Sequence, residues 1–126
     1  MNKYHFTISI HFKSDYDVEN LGEILKLSPS IITPYEKSVG NKKSAKFVYK
    51  TNVLDDIYTD EMFEKFVKQV APRLTSLPNI LKQYDGTCVF RIVFDQLKEK
   101  PCLSLSNEVL GILYNLNASY DVDFMI

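Results

Sequence analysis

Tryptophan is absent from these 126 residues, and arginine and histidine occur only twice each. Cysteine also occurs twice, as Cys88 and Cys102, and glycine four times. Two cysteines do not make the dense disulfide framework of a small secreted domain. They show no Cys-x-x-Cys pair and no zinc spacing. Gly22, Gly40, Gly86 and Gly111 are isolated, so no glycine-rich phosphate loop can form, and no Gly-x-Ser-x-Gly elbow is present. No apolar run approaches the roughly 20 residues of a membrane helix. The start, Met1-Asn2-Lys3-Tyr4-His5-Phe6, lacks a basic-then-apolar leader, which makes a reducing cytoplasm the expected setting. The net charge of −1 provides no global attraction for nucleic acid or an anionic membrane. Arg73 and Arg91 are too few for a phosphate-reading surface, because arginine is the preferred residue for such contacts.

What is present is the material of one folded domain spanning 1–126. Hydrophobic residues make up 45%, with eight tyrosines and eight phenylalanines to fill a core. Residues 3–12 alternate strictly: Tyr4, Phe6, Ile8, Ile10 and Phe12 on one side, Lys3, His5, Thr7, Ser9 and His11 on the other. Period two with β-formers predicts a strand with one buried face. Asp17 is placed to cap a short helix carrying Val18, Leu21, Ile24 and Leu25. Residues 30–50 read as a loose hairpin turning at Gly40-Asn41, with Phe47 and Tyr49 on one face of its second arm. Thr59 is placed to cap a helix carrying Phe63, Phe66, Val67 and Val70, which Pro72 must break. A second helical piece follows through Leu74, Leu77, Ile80 and Leu81.

Residues 87–95 alternate with both faces largely apolar, which predicts a central strand. Ser106 caps a helix carrying Val109, Ile112, Leu113 and Leu116, and a last strand alternates Tyr120, Val122 and Phe124 against Asp121 and Asp123. The predicted order is β-α-β-β-α(α)-β-α-β. This is an α+β domain with a mainly antiparallel sheet backed by helices. Its first six elements have the ferredoxin-like split β-α-β order, with an added α-β.

Candidate chemistry is sparse. His5 and His11 share a strand face but stand about 20 Å apart, too far for one metal ion. Cys88 sits among Phe90, Ile92 and Phe94 as a small buried hydrophobe, while Cys102 falls in a connector near Lys98 and Lys100. Asp121 and Asp123 share a face about 7 Å apart, a spacing that suits a divalent cation or an acid–base pair and equally a polar outer face. Two charge clusters stand out. Lys37, Lys42, Lys43, Lys46 and Lys50 are basic, and Asp55, Asp56, Asp60, Glu61 and Glu64 follow as an acidic block. Such clusters serve solubility, or they steer a charged protein partner.

Three segments resemble the bacterial domain-of-unknown-function family 4279. They are Asp15-Tyr16-Asp17-Val18-Glu19-Asn20-Leu21 with Leu27-Ser28-Pro29-Ser30; Lys37-Ser38-Val39-Gly40; and Leu103-Ser104-Leu105-Ser106 through Leu116, then Tyr120-Asp121-Val122-Asp123. The chain departs from the family pattern in lacking a tryptophan near the hairpin and in the spacer between Lys37 and Gly40. The resemblance implies an α+β fold and no established activity.

The expectation is a non-catalytic, cofactor-free protein-binding domain. By analogy with small bacterial domains beside toxin genes, it would be an immunity protein neutralising a partner toxin. Its expected contact residues are Lys37, Lys42, Lys43, Lys46, Asp55, Asp56, Asp60 and Glu61. The alternative is a small-ligand or hydrolytic domain in which Asp121, Asp123, His5, His11 or Cys102 converge in a pocket. A structural or oligomeric subunit is a third option.

Overall fold

The structure is a computed structural model that describes residues 1–35 and 43–125. The expected turn at Gly40-Asn41, and Lys37 and Lys42 with it, lie outside the described residues. Six strands form one sheet: β1 (Asn2–Phe12), β2 (Ile31–Thr33), β3 (Ala45–Lys50), β4 (Leu54–Asp56), β5 (Gly86–Gln96) and β6 (Ala118–Phe124). The strand order is β2-β3-β1-β5-β6, with β4 also on β1. Four helices connect them: α1 (Val18–Leu25), α2 (Thr59–Val70), α3 (Leu77–Gln83) and α4 (Asn107–Asn115).

β1 is antiparallel to β3 and to β5, and β2 is antiparallel to β3. The parallel pair β1 and β2 is therefore split by β3, and the parallel pair β3 and β5 by β1. This is the interleaved split β-α-β arrangement that the element order predicts. The added α4-β6 extends the sheet, because β6 pairs β5 in parallel and a parallel neighbour needs a crossover helix.

Local sequence explains most boundaries. The Asp17 carboxylate accepts from the Glu19 and Asn20 amides and starts α1, and Lys26 closes it at φ 54°. Ile24, expected in the stripe, is 41% exposed; Val18, Leu21 and Leu25 carry the packing instead. Ser106 Oγ accepts from the Val109 amide and starts α4. Thr59 does not cap α2: the cap position is Tyr58, without a side-chain bond, and Thr59 lies buried inside the first turn. Pro72 acts as expected, turning Ala71–Leu74 into a 3-10 turn before α3.

β4 was not legible. The chain takes four steps from Lys50 to Leu54 while β1 takes three from Thr7 to Tyr4, so one residue bulges out. Thr51 bridges the gap, with its amide donating to the Phe6 carbonyl and its hydroxyl accepting from the Phe6 amide, each at 3.0 Å.

Tyr4, Phe6, Ile8, Ile10 and Phe12 are at most 1% exposed and join residues of all four helices in one hydrophobic cluster. Phe6 touches Phe63 edge-on and Phe66 by stacking, both at 5.2 Å between centroids. Each such fully buried side chain contributes about 1.5–3 kcal/mol. The helices thus lie on one face of the sheet.

Candidate functional site

Alternation along the strands sends every second side chain to the opposite face, which no helix covers among the described residues. The register places these side chains in rows across the sheet. One row runs Lys50 (β3), Thr7 (β1), Arg91 (β5), Asp121 (β6). The next runs Ile31, Val48, Ser9, Val89, Ser119, and beyond it lie Thr33, Lys46, His11 and Thr87. On the other side of the Thr7 row stand His5, Val93 and Asp123.

This open face has three notable properties. Lys46 and Lys50 stand on β3 and Asp121 and Asp123 on β6, with Arg91 on β5 beside Asp121, while Lys3 and Asp55 face each other across β1 and β4 at one end. Val48 on β3 and Val93 on β5 are only 8% and 6% exposed, although they stand outside the helix-backed cluster. Its polar groups are unequally satisfied. Arg91 Nε donates to Asp121 Oδ2 at 3.1 Å, whereas Thr7 Oγ1 is buried without a hydrogen-bond partner.

His5 is 5% exposed, and its Nδ1 lies 2.6 Å from Asp95 Oδ2. The pairing depends on a second irregularity: Tyr4 stands opposite Phe94 and Lys3 opposite Gln96, which leaves Asp95 as the extra residue. The bulge re-aims a carboxylate at the buried ring, which would otherwise carry the penalty of an unpaired polar group.

The expected contact residues are dispersed. Lys43 is exposed ahead of β3. Lys46 pairs with His11 and Asp55 with Lys3 along β1, eight residues or about 26 Å apart. Asp56 accepts from the Tyr4 hydroxyl at 2.5 Å and from the Tyr58 amide at 2.9 Å, a structural duty. Asp60 accepts from the Glu61 amide and from Cys102 Sγ at 3.2 Å, beside α2 and away from the open face. Glu61 is exposed there.

Of the five residues expected to converge, His5, His11, Asp121 and Asp123 share the open face, and Cys102 does not. β5 separates β1 from β6, so neither histidine meets either aspartate, and only Asp121 and Asp123 stand as neighbours on one strand. No group of three or more His, Cys, Asp or Glu able to hold a metal occurs among the described residues. Cys88 is buried, and that burial pushes its thiol up to about 12. Burial and the Asp56 carboxylate raise the Tyr4 hydroxyl. Burial also raises Tyr120, with Asp121 adding to the effect.

A model of a protein family described as Domain of unknown function (DUF4279) matches residues 2–126. The chain belongs to this family. No curated protein and no solved structure matches it. The DUF4279 chain also has a groove of about 410 Å³ where the β3–β4 bulge parts from α2. Phe6, Tyr49, Met62 and Phe66 supply apolar lining, Lys65 supplies a cation, and no acidic residue lines it among the described residues. No helix of the described chain is long and apolar enough to cross a membrane.

Proposed function

We propose that this chain is a non-catalytic protein-binding domain whose working surface is the open face of its sheet. The observation that carries this reading is the order of charge across that face: Lys46 and Lys50 on β3, Asp121 and Asp123 on β6. A surface of this kind recognises a protein that presents the opposite order, and its charges steer the encounter. Exposed Ile31 supplies apolar contact on this face, and the charged residues supply its polar part. An immunity protein that neutralises a toxin is the sharpest form of this proposal, since neutralisation needs a complementary surface and no chemistry. The residues doing the work are then Lys46, Lys50, Arg91, Asp121 and Asp123, only partly the set expected from the charge runs.

The test is co-purification from the native host with two variants as controls. Lys46→Glu/Asp121→Lys reverses the face, and Tyr114→Ser changes an exposed ring on the helix side. A specific partner that is retained by the wild type and by Tyr114→Ser, but lost by the reversed face, supports the reading. A partner lost only by Tyr114→Ser, or no partner at all, overturns it. Rescue of growth when the chain is co-expressed with a neighbouring toxin gene would support the immunity form.

The groove beside α2 favours a second reading, a site for a small organic anion with an aromatic body. Its volume is in the range of ligand pockets. Lys65 has no carboxylate partner among the described residues. Thermal-shift screening with aromatic carboxylates, against a Lys65→Glu variant that should lose the response, tests this directly.

A further inference from the structure

The face described above is complementary to itself in one orientation, and we propose that it binds a second copy of this chain. The inference rests on the open face being the working surface, and it names the partner.

The argument is geometric. Two sheets stacked face to face can be related by a two-fold axis lying in the interface. If that axis runs across the strands, each strand meets its own equivalent. Lys50 then faces the partner's Lys50 column and Arg91 the partner's Arg91 column, which like charges forbid. If the axis runs along the strands, between β1 and β5, then β3 meets β6 and β1 meets β5 at unchanged height. Lys50 then faces the partner's Asp121, because both stand in the Thr7 row. In the same row Thr7 faces the partner's Arg91. Every contact occurs twice.

Aligned sheets cross at about 30°, so the match is best at the centre, and the Thr7 row is the middle of β1. The four strands that overlap, β3, β1, β5 and β6, have 6, 11, 11 and 7 residues. At about 3.3 Å by 4.8 Å per residue they give roughly 550 Å² per copy, about 1,100 Å² in total, at the low end of specific interfaces.

The test is sedimentation velocity on the purified chain over a wide concentration range, with circular dichroism to confirm folding. The wild type should move from monomer to dimer, less readily at high salt. Lys50→Asp and Asp121→Lys should each raise the dimer dissociation constant about tenfold or more. The double variant Lys50→Asp/Asp121→Lys should restore dimerisation, because it reverses both partners of each pair. A wild type that stays monomeric throughout, or a double variant no better than the singles, overturns the dimer. If the chain is monomeric but the reversed face still loses a different protein in co-purification, the dimer fails and the open-face reading stands. If both experiments are negative, both fail.

Discussion

The Nδ1 atom of His5 lies 2.6 Å from Oδ2 of Asp95, on paired strands whose register shifts at a bulge beside it. The ring is 5% exposed, so the carboxylate is what satisfies it. Asp95→Ala should leave a buried polar nitrogen without a partner and cost about 1–3 kcal/mol. Asp95→Asn keeps an acceptor in place and should cost clearly less. Urea unfolding of the two variants measures the difference; equal losses would show that the pair does not hold the ring.

Ile8 and Thr7 are adjacent in β1 and point to opposite faces. Ile8 is fully buried against the helices. Ile8→Ala should destabilise the domain by about 2–5 kcal/mol through the cavity it leaves. Thr7→Val, studied at high dilution, should cost nothing measurable, since the hydroxyl it removes has no partner there.

Stability should fall in alkali, in two stages. Cys88 is held protonated up to about 12, above its ordinary 9.0, and Tyr4 is raised above its ordinary 10.0. From pH 9 upward the unfolded chain releases protons that the folded chain keeps. The unfolded state then binds fewer protons, and stability drops as pH rises. Cys88→Ala should remove the part of the decline that starts near pH 9, and Tyr4→Phe the part that starts near pH 10. Below pH 9, Tyr4→Phe should still cost about 1.5–3 kcal/mol for the lost bond to the Asp56 carboxylate. Denaturant titrations from pH 7 to 12 check both.

Two glycines should respond in opposite directions. A Cβ on Gly86 would meet the Phe12 ring at 2.6 Å and Leu81 Cδ2 at 2.8 Å. Gly86→Ala should therefore cost about 1–3 kcal/mol. Gly111, inside α4, has nothing within 4 Å of such an atom. Gly111→Ala should gain about 0.5–1 kcal/mol by helix propensity. Melting temperatures of the pair decide it.

Several features follow from local residues alone. The alternation of residues 3–12 determines β1 and the face that packs on the helices, because strand geometry leaves side chains only two directions; His5 and Thr7 on the other face, expected to meet solvent, are buried as well. Asp17 and Ser106 determine two helix starts, because their oxygens are the nearest acceptors for free amides. Pro72 determines the break after α2, because it has no amide to donate. Element order was legible for the same reason, each element being written in its own periodicity.

Three features were decided by the tertiary structure. β4 has three residues and no period to read, and it exists because a bulge at Thr51 lets the chain rejoin β1. The His5–Asp95 pair joins residues ninety apart, and only the register and its bulge put them in contact. The site itself moved for the same reason. The basic and acidic runs are clusters in sequence that the fold scatters, since a strand advances about 3.3 Å per residue. Lys50, Thr7, Arg91 and Asp121 come from four separate segments, and hydrogen bonding between strands draws them into one row. Pairing across a sheet is a non-local choice, set by which strands share a core, and no single segment encodes it.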